Sequence, residues 1–159
     1  MRWQDIDNQT CSVARTMAVI GDRWTMLILR DCFLGLTKFS SFQKSLDINK
    51  NRLSERLNKL VDYDVLRKVS YDESRRRFEY KLTKKGVELY PVLISLVGWG
   101  DKWAADEDGP PVVYTHRQCG ETMTPQYTCS ECHETLDAKD VIVSLGPGLL
   151  RKIERGDEH

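Results

Sequence analysis

The sequence predicts a mostly α-helical α+β fold: a winged helix-turn-helix with a small β-hairpin wing, a C-terminal dimerisation helix and a small Cys/His appendage. Three observations predict it. Two short amphipathic helices separated by a tight turn run from Phe39 to Asp62. A strand, turn and strand rich in Arg follow at once. A long apolar helical pattern then ends at the acidic, Gly- and Pro-containing stretch Asp106-Glu-Asp-Gly-Pro-Pro111.

Taken in order, Cys11 to Phe33 is helical by pattern, with Val13, Met17, Ile20, Trp24, Leu27 and Ile28 at helical spacing and a break at Gly21-Asp22. Phe39, Phe42 and Leu46 share one face of a short helix that Ser40 or Ser41 can cap. Asp47-Ile-Asn49 reads as a turn, with Asn49 as N-cap of the next helix. In that helix Leu53, Leu57, Leu60 and Val61 form the inner face. Its other face carries Lys50, Asn51, Arg52, Ser54, Glu55, Arg56 and Lys59, rich in the donors that reach phosphates and base edges in a major groove. Val65 to Tyr71 and Arg75 to Thr83 are the wing strands, turning at Asp72-Glu-Ser74, with Phe78, Tyr80 and Leu82 alternating against Glu79 and Lys81. Thr83 can cap a helix that runs from Lys84 to Trp103 and is kinked by Pro91. Its apolar residues exceed what one side of a small domain needs, which suits a two-fold dimer contact.

Charge points the same way. Lys38–Thr83 holds 12 Lys or Arg against 7 Asp or Glu, an excess of five in a chain of zero net charge. One basic region inside a neutral protein implies a polyanionic partner for that face. Double-stranded DNA fits, with Lys38, Ser40 and the polar face of Lys50–Lys59 at the groove and the wing arginines Arg75, Arg76 and Arg77 along phosphates or in the minor groove. A solvated helix face beside an edge-protecting hairpin is the plain alternative.

These residues resemble a known family. Cys11-Ser-Val-Ala-Arg15, Val19-Ile-Gly-Asp-Arg-Trp-Thr-Met-Leu-Ile-Leu-Arg30, Lys38-Phe-Ser-Ser-Phe42, Asn51-Arg-Leu-Ser-Glu-Arg-Leu57 and Tyr80-Lys-Leu-Thr-Lys-Lys-Gly86 are similar in order and content to HxlR-type bacterial transcription regulators. The resemblance runs from about residue 10 to residue 103. It implies a homodimeric winged-helix repressor or activator on an inverted or imperfect repeat near a promoter. It also implies that some members sense oxidants or electrophiles through the Cys before the first helix, here Cys11.

The five cysteines fall into three groups. Cys32 lies in an apolar stripe and reads as core. Cys11 stands at a helix N-terminus, where the dipole favours a thiolate, and Arg15 is one turn along. The third group is His116-Arg-Gln-Cys119, nine residues, then Cys129-Ser-Glu-Cys132. Two such pairs can each bend around one metal, so His116, Cys119, Cys129 and Cys132 are candidate ligands of a structural zinc in a miniature zinc ribbon. Val112–Thr115 and Val141–Val143 would be its strands. His133, where a second Gly would be usual, is another candidate ligand; a redox pair Cys129–Cys132 and plain thiols remain open.

The expected organisation is 1–105 for the DNA-binding and dimerisation domain, 106–111 linker, 112–148 Cys/His module and 149–159 flexible tail. No long internal repeat is visible. No apolar run reaches the roughly 20 residues needed to span a bilayer, so no membrane contact is expected. The start, Met-Arg-Trp-Gln-Asp, has no apolar export signal, so a cytoplasmic location is expected. Apolar space between the core and the dimer helices offers room for a small-molecule effector. No phosphate loop and no nucleophile with a recognisable base occurs, so an enzyme is not expected. The alternative function is a protein-interaction adaptor using the helical face and the Cys/His module.

Overall fold

The structure is a computed structural model that describes residues 9–72, 74 and 77–156. The chain divides into two compact units, 1–93 and 94–159. The elements of the first are α1 (Ser12–Ile20), α2 (Arg23–Phe33), α3 (Phe39–Leu46), α4 (Lys50–Asp62), β1 (Leu66–Asp72), β2 (Arg77–Leu82) and α5 (Lys84–Val87). Helix α6 (Tyr90–Trp103) crosses the division, and α7 (Pro147–Arg155) lies in the second unit.

Side-chain chemistry sets most boundaries. Gly21-Asp22 separates α1 from α2, and the Asp22 carboxylate caps α2 by accepting the N–H groups of Trp24 and Thr25 at 3.0 and 3.3 Å. α3 ends at Asp47, which takes a left-handed conformation (φ 46°). Ile48 then buries itself in the turn, and Asn49 caps α4 by accepting the Arg52 N–H at 2.9 Å. The expected Ser40 or Ser41 cap does not occur, because α3 already begins at Phe39: its N-cap is Lys38, whose side chain makes no capping bond.

The core gathers Ile20, Ile28, Leu29, Phe42, Leu46, Ile48, Leu53, Leu57 and Leu60 with Val65, Leu66 and Tyr80 from the wing base. Burying each such side chain contributes about 1.5–3 kcal/mol before chain entropy is set against it. β1 and β2 pair antiparallel from Leu66↔Leu82 to Asp72↔Arg77, with an irregularity between Ser70 and Asp72. A third short segment joins them: Lys38 bridges Glu79, and the Tyr80 N–H donates to the Thr37 carbonyl at 2.8 Å. The wing is therefore stitched to the start of α3.

Thr83 caps α5 as expected, accepting the Gly86 N–H at 3.1 Å. Gly86 is required there, because a Cβ would meet the Val65 carbonyl oxygen at 2.2 Å. The expected kinked helix Lys84–Trp103 is two helices. The break at Glu88–Leu89 places Pro91 in the first turn of α6, where a missing N–H costs nothing. The tail expected to be flexible forms α7, started by Pro147 and closed by Gly156 in a left-handed conformation. Among the described residues no helix is long and apolar enough to cross a membrane.

Candidate nucleic-acid interface

α4 presents Lys50, Asn51, Arg52 and Glu55 to solvent, with Ser54, Arg56 and Lys59 half-buried at its flanks. The inner face, Leu53, Leu57 and Leu60, is sealed in the core, so the helix is fixed in rotation. Its N-terminal turn is therefore a rigid platform of donors.

The seven polar residues are not equivalent. Arg56 Nε lies 3.1 Å from the Asp22 carboxylate, close enough for an ion pair but not aligned as a hydrogen bond. Arg56 Nη1 donates to Glu55 at 3.0 Å. Asp22 thus caps α2 and ties it to α4 at once. The Lys59 ammonium sits 5.9 Å from the Tyr63 ring centre. Arg56, Glu55 and Lys59 are engaged by the protein itself, whereas Lys50, Asn51 and Arg52 point their chemistry outward.

Lys38 and Ser40 lie exposed at the start of α3, beside Tyr71, Arg77 and Phe78 of the wing. The Lys38 ammonium stands 5.2 Å from the Tyr71 ring centre. Lys81 bonds Glu79 at 2.9 Å; that bond, with the charges of Lys81 and Lys38, holds the Glu79 carboxyl below its usual range. Lys68 covers the Phe78 ring at 4.3 Å. Arg67 and Arg77 are exposed on the hairpin. Arg75 and Arg76 lie outside the described residues. Sequence reasoning passed over Arg67 and Lys68, although their place between Leu66 and Val69 in a β pattern marks them as outward-facing wing cations.

Cys11 is the exposed N-cap residue of α1 and makes no side-chain cap bond. Arg15 turns instead to the Gln9 carbonyl, which its Nε reaches at 2.9 Å. Cys32 is half-buried against the core, and burial with the adjacent Asp31 charge pushes its thiol up to about 12. It is a packing residue with no thiolate at neutral pH.

In the C-terminal unit, His116 Nδ1 and Cys119 Sγ are in contact at 3.3 Å. Cys129 accepts hydrogen bonds from the backbone N–H groups of Cys132 and Glu131 and from the Cys132 side chain, which lower its pKa. Each expected ligand pair is assembled, but among the described residues no three His, Cys, Asp or Glu side chains gather as a metal site. The expected strands do not form: among the described residues of this unit only single bridges occur, Thr115↔Thr122 and Thr128↔Thr135, and Ile142 and Val143 are over 89% exposed. Each segment pairs locally within its own turn, which leaves Val141–Val143 without a strand to join.

A cavity of about 400 Å³ lies within this unit, lined by Val97, Gly98 and Asp101 of α6 and by Val113, Met123 and Pro125. The α6 stripe Val92, Leu96, Trp99 and Trp103, spaced four, three and four residues apart, is exposed throughout.

The profile of the family described as HxlR-like helix-turn-helix matches residues 19–108. An uncharacterized HTH-type transcriptional regulator of Mycobacterium tuberculosis H37Rv, Rv3095, is 37% identical over 89% of this chain and 90% of its own length. The crystal structure of PA1607, a candidate transcription factor, superposes with a TM-score of 0.78 at 40% identity, covering 87% of this chain and 96% of that one. The redox regulator HypR in its oxidized form superposes with a TM-score of 0.54 at 26% identity, over 58% of this chain and 96% of its own.

Proposed function

The chain belongs to the HxlR-like helix-turn-helix family of transcription regulators, and from that premise we propose that two copies of it read a two-fold operator. Each copy sets the N-terminal turn of α4 in a major groove, with Lys50, Asn51, Arg52 and Ser54 at base edges and phosphates. Lys38, Ser40, Arg67 and the wing arginines Arg75, Arg76 and Arg77 flank it on the backbone. The observation that carries this reading is the division of labour on α4: Arg56 is held by Asp22 and Glu55, while the turn before it stands exposed on a rotationally fixed helix. Arg56, Glu55 and Lys59 then shape the surface more than they touch bases.

The exposed stripe Val92, Leu96, Trp99 and Trp103 is the dimer face in this proposal. Two copies would present their α4 helices about one helical turn apart. Residues 112–148 form a small ribbon-like appendage. HypR, named a redox regulator, is similar over the body of this chain, which supports a thiol response at the exposed Cys11. The cavity beside α6 offers a second place for a signal, a small apolar effector.

The test is selection of bound sequences from a random DNA pool, followed by a salt titration on the selected site. A palindromic motif bound with a steep salt dependence is expected. Binding with no sequence preference would reject operator reading and leave the adaptor role as the better account.

A further inference from the structure

Residues 114–123 (Tyr-Thr-His-Arg-Gln-Cys-Gly-Glu-Thr-Met) and 127–136 (Tyr-Thr-Cys-Ser-Glu-Cys-His-Glu-Thr-Leu) are a tandem repeat. Tyr-Thr, the second ligand-type Cys and Glu-Thr recur at the same places. The backbone repeats with them. Gly120 N–H donates to the His116 carbonyl at 2.8 Å, as His133 N–H does to that of Cys129 at 3.0 Å. His116 N–H donates to Glu121 and Cys129 N–H to Glu134, at 2.8 and 2.9 Å. Met123 N–H donates to Tyr114 and Leu136 N–H to Tyr127, both at 2.8 Å. Gly120 and His133 both take positive φ, 76° and 62°. The two segments are therefore copies of one knuckle, in which His133 fills the left-handed position of Gly120 and serves the turn.

This duplication has no apolar core beneath it. From Val112 to Gly146 no residue is buried, and only Tyr114, Met123, Pro125 and Cys129 are even half-buried. Twin turns this regular, with almost nothing to bury, need another source of order. The donors on the page supply one.

We propose that the two knuckles hold one divalent metal ion of the zinc class per chain, with His116 and Cys119 from the first and Cys129 and Cys132 from the second as its ligands. The set is three thiolates and one imidazole, the soft, tetrahedral combination that suits zinc. Each half-site is already bidentate: His116 and Cys119 are in contact, and the Cys129 thiol is cradled by the N–H groups of its own turn. The two halves are joined by Thr124-Pro-Gln126, and the ion draws them together. The three cysteines would bind as thiolates and His116 through a ring nitrogen. The closed set leaves no open position, so the ion is structural. The proposal rests on the ribbon-like reading of residues 112–148 and not on operator docking.

The experiment is metal analysis and native mass spectrometry of the full-length chain purified without chelators, then titration of the metal-stripped chain with cobalt(II). One metal per chain and the visible spectrum of tetrahedral thiolate cobalt are expected. Cys119→Ser and Cys129→Ser, one in each knuckle, should each abolish tight binding, while His133→Gly should retain it. A wild-type chain that takes up neither zinc nor cobalt overturns the proposal. So does full metal retention in Cys119→Ser, one ion shared between two chains, or loss of metal in His133→Gly. DNA binding by the wild-type chain separates this result from the regulator reading: a wild-type chain that binds its operator yet takes up neither zinc nor cobalt would sink the metal site alone.

Discussion

Two arginines one turn apart on α4 should fail in opposite ways when replaced by Ala. Arg56 is 22% exposed, and its guanidinium lies 3.1 Å from Asp22 and 3.0 Å from Glu55. Glu55 is 67% exposed, so its pair contributes only a few tenths of a kcal/mol. The Asp22 pair is more enclosed, at 29% exposure of the carboxylate, and falls near the upper end of surface pairs, about 1 kcal/mol. With lost packing of the Arg stem, Arg56→Ala should cost about 1–1.5 kcal/mol of stability. That is a fall in Tm of about 4–8 °C for a unit of this size. Asp22→Ala should cost about 1 kcal/mol more, because the α2 cap is lost as well. Arg52 is exposed, and Ala is the better helix former, so Arg52→Ala should leave stability within about 0.5 kcal/mol. It should instead weaken operator binding by about 1–3 kcal/mol and relax preference at one base pair. Urea denaturation followed by far-UV circular dichroism gives the first quantity, and fluorescence anisotropy on operator DNA gives the second. A cycle of Asp22→Ala, Arg56→Ala and the double variant isolates their coupling. Unchanged stability in Arg56→Ala, with a DNA defect as large as that of Arg52→Ala, would refute the assignment of Arg56 as a brace.

Asn49→Ala should lower stability by about 1 kcal/mol through loss of the α4 cap, while Asn49→Ser should be nearly neutral, as thermal melts will show. Arg67→Ala and Arg77→Ala should each weaken binding to all DNA sequences alike and flatten the salt slope by about one ion; a change in sequence preference would argue against phosphate contact. Alkylation of the native protein at neutral pH should spare Cys32 and modify exposed Cys11. The native Cys32 thiol keeps its proton until about pH 12, whereas the unfolded one loses it near the ordinary value of 9.0. The raised folded pKa means that Cys32 contributes stability fully below pH 9 and loses it between 9 and 12, so the advantage of wild type over Cys32→Ala should shrink across that window. A constant difference through that range would place the thiol in contact with water.

Local signals made much of the first unit legible. Asn49 and Thr83 announced their caps because a short side-chain acceptor three residues before a free N–H is a local geometry. Gly21-Asp22 divided α1 from α2 for the same reason. The α3 cap lies beyond local signals, because the wing holds Thr37 and Lys38 through Tyr80 and Glu79, far along the chain. Pro91 reads as a kink within one helix, but α6 starts at Tyr90 and sets it in a first turn, where its missing N–H costs nothing. In the second unit, Cys and His spacing marks both candidate ligand pairs, but the repeat of 114–123 in 127–136 is masked by substitutions at half its positions. Aligning Cys119 with Cys132 would have revealed it and shown His133 in the place of Gly120.

The sequence by itself determined the elements and their chemistry: helix, turn, helix and basic hairpin, each specified by periodicity, caps and charge that act within a few residues. Tertiary structure alone decided which of those charges can reach a partner. Arg52 and Arg56 are indistinguishable in a linear reading, four positions apart on the same polar face. Only the packing of α2 against α4 brings the Asp22 carboxylate to one and not the other, because an ion pair depends on distance in space.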